Sequence, residues 1–183
     1  ILLTALQWGA FACAVDHTVK TVPNVHLQDR LNYVSNPDGI IRAQDVEAIN
    51  SYARELQESM GIEVAVVALK SIGDNDAREF ATDLFNHWGL GQKGKDSGLL
   101  TELVTDPPQR SVVFETGYGV EGVLREAITY RLQKRYMIPD LKAGNFSEGM
   151  RKGMLAVSDY LKASDYEREN MTGLQSQGQG GQQ

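Results

Sequence analysis

Thiol chemistry is almost absent from this chain, whose 183 residues include a single cysteine, Cys13. One cysteine excludes an internal disulfide and any zinc or iron–sulfur site that needs two thiolates. Histidine is nearly as scarce, with His17, His26 and His87. No HExxH or Cys/His spacing is present, so a nitrogen- or sulfur-ligated zinc site has no support. His87, beside Trp88 at the end of a helical stripe, reads as a helix-end residue and leaves a Ser-His-Asp mechanism without a base. A basic face is missing too: the net charge is −6, the sequence pI is about 5.1, and the lysines and arginines are scattered. That balance excludes nucleic acid and fits a cationic partner. There is no internal repeat, and no apolar run reaches the length of a membrane-spanning helix.

What is present divides the chain into four parts. Residues 1–14 are apolar and end in Ala12-Cys13-Ala14, the small-x-small pattern of a signal-peptidase site, so they read as a partial signal peptide of an exported protein. The product is a cleaved secreted form or a lipoprotein acylated at Cys13. Residues 15–32 are polar and unpatterned, a linker. Residues 33–165 carry hydrophobic periodicity and form one domain. Residues 166–183 are a Gly/Gln-rich tail expected to be disordered.

Within the domain an Asn36-Pro37-Asp38-Gly39 turn comes first. Val46, Ile49, Ala53, Leu56 and Met60 trace one helix face, with Gly61 placed as its C-terminal cap. The run 63–69 is a strand covered on both faces. Ala77, Phe80, Ala81, Leu84, Phe85 and Trp88 mark a second helix. The crossover rule makes run 63–69 parallel to run 99–104. Asp106-Pro107-Pro108-Gln109 then turns that strand back into run 111–114, a hairpin. Pairing Thr105 with Arg110 places Ser97 opposite Tyr118 and Asp96 opposite Gly119. A third helix, carrying Val123, Leu124, Ala127, Ile128 and Leu132, is expected to close before Pro139. Asn145 and Glu148 resemble a capping box for a fourth helix faced by Phe146, Met150, Met154, Val157 and Leu161. The fold class that follows is α/β: a three-layer α/β/α sandwich with a small mixed central sheet and helices on both faces.

The hairpin register brings two glycine-rich loops to one edge of the sheet, and both carry acid: Asp96 in one, Glu115 and Glu121 around Gly117-Tyr118-Gly119 in the other. Gly89 to Lys95 is not a phosphate loop, because it follows a helix and leads into a strand. The Gly-x-Gly-x-x-Gly spacing at 117–122 puts Glu121 where a pyrophosphate would sit, and no strand follows the next helix, so a dinucleotide site is disfavoured. Carboxylates with glycine-loop carbonyls are donors for a hard cation, calcium first and magnesium second. An equally good reading of Glu115 is a salt bridge to Lys93, Lys95 or Arg125.

Five blocks, residues 33–41, 61–67, 85–91, 94–98 and 115–122, together with Pro139 and Gly144-Asn145-Phe146, resemble the TPM domain in order and spacing. That family includes thylakoid-lumen proteins linked to photosystem II repair, a nematode receptor modulator and many exported bacterial proteins. The resemblance implies an α/β/α sandwich outside the cytoplasm, often tethered to a membrane by segments beyond the domain. It also implies either calcium binding or acid phosphatase activity at the loop edge, or a role as an assembly or maintenance module for membrane proteins. By position, Asp96, Glu115 and Glu121 match the family's acids. Ser97 replaces a usual Asn, and Glu126 replaces a common Asp, which would hold a ligand farther from its backbone. Tyr118 is the expected anchor for a membrane-protein partner. Glu102 interrupts a normally apolar strand, which argues against full coverage of that face.

Overall fold

The structure is a computed structural model and describes residues 15–91 and 96–173. The expected signal segment, Lys93, Lys95 and the end of the tail from 174 lie outside the described residues. Four strands form one sheet in the order β1 (Val34–Ser35), β2 (Glu63–Leu69), β3 (Gly98–Val104), β4 (Ser111–Thr116). β1, β2 and β3 are parallel, and β4 returns antiparallel to β3. The observed pairing of Leu99 with Thr116 and Val104 with Ser111 is the register that a four-residue connection between Thr105 and Arg110 requires. Asn36 holds the first turn by accepting from the Ile40 and Ile41 amides and donating to the Ile41 carbonyl.

Helices cover both faces. On one lie α1 (Ala43–Met60) and α6 (Phe146–Lys162), whose Ile49, Leu56, Met150 and Met154 pack on Val64, Val66, Leu99 and Leu103. On the other lies α2 (Ala77–Trp88), whose Phe80, Ala81 and Leu84 pack on Val67, Leu69, Leu100 and Val104. Each fully buried Leu or Ile contributes roughly 1.5–3 kcal/mol relative to exposure. The Asp76 carboxylate caps α2 by accepting from the Arg78 and Glu79 amides.

Several expectations change. Residues 15–32 are not a free linker. The His17 amide donates to the Ser71 carbonyl, its ring meets Asp38 at 2.9 Å, and Val22 enters the α2-side core. A short helix α3 (Tyr118–Glu121) precedes α4 (Glu126–Leu132), and the helical path does not end before Pro139. It widens into a π turn over Gln133–Met137, where the Ile138 amide reaches the Gln133 carbonyl, and resumes as α5 (Ile138–Lys142). Pro139 sits in the first turn of α5, where its missing N–H costs no helical bond. The wide turn delivers Met137, fully buried, onto Gly153 of α6, where any Cβ would overlap its side chain.

Asn145 makes no side-chain cap on α6; Glu148 binds Arg151 instead, at 2.7 Å. The capping box that does form joins Ser164 and Glu167 and opens α7 (Asp165–Thr172). The first residues of the segment read as a disordered tail are therefore helical.

Glu102 does not leave its face uncovered. It is fully buried between its register partners Val67 and Val113, on the side of β3 that α2 covers, and neither carboxyl oxygen has a hydrogen-bond partner. Burial pushes its carboxyl up to about 8, because an ionised form there lacks both water and a counter-charge. The folded state thus keeps a proton that the unfolded chain, at about 4.5, gives up. This contribution to stability is whole below pH 4.5, declines as pH rises toward 8, and is flat beyond. In urea unfolding, Glu102→Gln should remove a decline of up to about 1.4 kcal/mol per pH unit between pH 5 and 8. Parallel pH profiles for the two proteins would refute a neutral Glu102.

Candidate functional site at the β4 edge

The antiparallel ladder continues past the ends of β3 and β4. The Gly117 amide donates to the Gly98 carbonyl and the Gly119 amide to the Asp96 carbonyl, both at 3.0 Å. Asp96, with φ 46°, is the one described non-glycine residue in the left-handed region, and this conformation turns its carbonyl onto the facing loop. Gly117 is required by the approach: a Cβ there would overlap the Asp96 carbonyl group. From Gly117 the chain enters α3, with the Val120 and Glu121 amides donating to the Gly117 carbonyl. Val120 is buried and anchors the turn, so Tyr118 and Glu121 project outward, Tyr118 at 84% exposure.

Beside this turn a cavity of about 260 Å³ lies along β4, between α2 and the α3–α4 segment. Glu115, Glu121 and Glu126 line it, and among the described residues Arg78 of α2 is the one cation in its lining. Glu115 accepts from the Thr82 hydroxyl at 3.1 Å, leaving its second oxygen available. Arg78 reaches Glu126 only at 3.8 Å, with both side chains more than 60% exposed, so this pair holds neither group firmly.

Three of the four carboxylates expected at this edge therefore share one cavity. Asp96 does not line it: the residue is exposed on the adjoining loop and takes part through its backbone. Ser97 faces another way and donates to the Gly61 carbonyl at 2.9 Å, tying the loop to the end of α1. As placed, no three Asp, Glu, His or Cys side chains among the described residues are grouped closely enough to hold an ion directly. The volume does admit a cation with its water shell, at about 30 Å³ per water, and Glu121 and Glu126 are exposed.

Arg78 and Thr82 are the members that sequence patterning did not reveal. Periodicity identifies the buried face of α2; residues 78 and 82, one turn apart, lie beside that face, and only the sheet order brings them over β4. A second cluster also went unseen. The buried Asp45 accepts from the Ser147 hydroxyl at 2.6 Å, and Arg42 lies 2.7 Å and Arg151 3.6 Å from it. Burial alone would raise the Asp45 carboxyl, but the Ser147 and Arg42 hydrogen bonds and the charges of Arg42 and Arg151 outweigh it and hold the group below its ordinary value. The cluster fastens the first turns of α1 and α6 together.

The family model described as TPM domain matches residues 34–160. The solution NMR structure of the N-terminal domain of a protein from P. gingivalis superposes with a TM-score of 0.73 at 37% identity, covering 81% of this chain and 93% of that one. The N-terminal domain of a Corynebacterium glutamicum protein gives 0.55 at 16% identity, covering 73% and 80%. A protein of the psychrophilic bacterium Bizionia argentinensis gives 0.55 at 19%, covering 66% and 81%. These last two similarities establish the shared fold. No curated protein matches the chain.

The contact between the loops makes a direct prediction. Gly117→Ala should destabilise the protein by about 1–3 kcal/mol, the usual range for overpacking, and should speed exchange of the Gly119 amide. Denaturant unfolding and amide exchange of the two proteins check it; unchanged stability would show that the loops can separate at no cost.

Proposed function

Since this chain belongs to the TPM domain family, we propose that it holds a divalent cation, calcium before magnesium, at the β4 edge and serves as an interaction or maintenance module for membrane proteins. The observation that carries this reading is the gathering of Glu115, Glu121 and Glu126 in one cavity with Arg78 as the one cation among the described residues. The net negative charge of the cavity wall would draw a hydrated cation into it. The cavity's breadth and the exposure of two of the acids favour calcium, whose coordination is variable, over the strict octahedron of magnesium. Asp96, exposed on the adjoining loop, is the further carboxylate proposed for this edge, and Tyr118 offers an exposed aromatic anchor. Ser97 supports the site by fixing the loop.

The proposed setting is outside the cytoplasm, in the periplasm or at a membrane surface, which the apolar segment ending in Ala12-Cys13-Ala14 supports. Among the described residues no helix is long and apolar enough to cross a membrane. Mass spectrometry of the protein from its host should find a chain starting near Val15 or a lipid on Cys13. An unprocessed chain retaining Leu2-Leu3 would contradict export.

One observation favours a second reading, metal-assisted hydrolysis of phosphomonoesters. Arg78 stands in the acidic cavity without a close partner and is placed to take phosphate oxygens. A cation bound beside it would polarise the phosphoryl group and acidify a bound water.

Thermal melting of the full chain in chelator and in millimolar calcium tests the cation. At a hundredfold excess over the dissociation constant, binding contributes about 2.7 kcal/mol, a rise in melting temperature of roughly 5–10 °C for a protein of this size. Glu121→Gln and Glu126→Gln should each reduce that rise. Equal melting in the two buffers removes the cation reading. Assayed on p-nitrophenyl phosphate, the unmutated protein and Arg78→Ala separate the two functions: turnover that Arg78→Ala loses supports the enzyme, and no turnover by the unmutated protein supports the module.

A further inference from the structure

The hydrogen-bond parity of the hairpin determines which way each β4 backbone group points. Gly117 and Gly119 donate inward, to Gly98 and Asp96, so in an antiparallel ladder Ser111, Val113 and Glu115 also face β3 and Val112, Phe114 and Thr116 face away. The Gln133 side-chain amide confirms the parity by approaching the outward Val112 carbonyl at 3.5 Å. Beyond Val112 the outward groups of Phe114 and Thr116 open onto the acidic cavity, which both residues line. The opposite edge of the sheet is closed by contrast: β1 is two residues long, and the Val34 amide there is taken by the Asn32 side chain. Proteins ordinarily blunt an open edge in this way. β4 is blunted at one end only.

We propose that β4 binds an extended, basic peptide segment of a partner protein as a fifth strand, pairing with the outward backbone groups of Phe114 and Thr116 and seating a Lys or Arg among Glu115, Glu121 and Glu126. This rests on the interaction-module reading and specifies its partner. Strand addition supplies affinity through main-chain hydrogen bonds, and the side-chain pocket supplies selectivity. Among the described residues, three carboxylates against one guanidinium select a basic side chain over an acidic one. A second copy of this chain is the poorer occupant, because pairing β4 with itself would bring the two sets of carboxylates together.

The test uses the isotope-labelled full chain in chelator and three six-residue probes: an acetylated, amidated peptide of alternating valine and lysine, its glutamate counterpart, and the fully N-methylated lysine peptide. The lysine peptide should slow hydrogen exchange of the Phe114 and Thr116 amides at least tenfold, and the other two should not. No slowing at millimolar lysine peptide overturns the proposal, and so does equal slowing by the N-methylated form, which cannot pair as a strand. Slowing that grows with protein concentration and needs no peptide would show self-pairing and overturn it as well. The cation is judged separately: calcium-dependent melting without peptide protection refutes strand addition alone, and peptide protection without calcium-dependent melting refutes the cation alone.

Discussion

Strand β3 is buried along all seven residues and paired on both edges, parallel to β2 and antiparallel to β4. A strand with no free edge and no solvated face can satisfy its backbone only through its neighbours. Those neighbours must therefore cover it completely, which requires α1 and α6 on one side and α2 on the other. The same pairing extends past the strand end into the Asp96–Gly119 contact, so the loops at the candidate site are continuous with the most protected part of the sheet. Glu102 is the exception within that strand. Its neutral form is compatible with the apolar layer around it, and its ionised form is not.

Where β3 is covered, β4 is half open, and the polar features of the molecule gather there. The acids at 115, 121 and 126 come from a strand, a short helix and the start of another helix. None lies in the core, so their mutual repulsion costs the fold little. In the proposed strand addition, their convergence beside the outward backbone groups would supply both charge and hydrogen-bonding direction. Arg78 and Thr82, carried on α2, moderate the negative field without cancelling it.

The long periodic elements were legible as sequence. The bounds of β2 and α2, the Gly61 cap with φ 68° and the hairpin register all follow from residue spacing and turn chemistry, which act over a few residues. Local signals misled where tertiary packing outweighs them. Pro139 reads as a stop, yet the π turn before it satisfies the backbone because Met137 gains a fully buried site against Gly153. Asn145 and Glu148 have the spacing of a capping box, yet Glu148 is drawn to Arg151 beside Asp45. Residues 15–32 show no periodicity, since an irregular segment packs through individual contacts such as His17 with Asp38 and Val22 with the α2-side core.

By itself the sequence determined the α/β class, the order of the strands along the hairpin and the presence of acid in the loops at one end of it, because pairing register and hydrophobic period are properties of neighbouring residues. Only the tertiary structure decided that Glu115, Glu121 and Glu126 share a cavity while Asp96 stays outside it. It also placed Arg78 in the wall of that cavity and Thr82 against Glu115, and left the outward amides of Phe114 and Thr116 beside the acids. Those outcomes depend on how α2 and α4 lie against the edge of β4, and that placement comes from burying two separate cores on a twisted sheet, a requirement that no single stretch of the chain records.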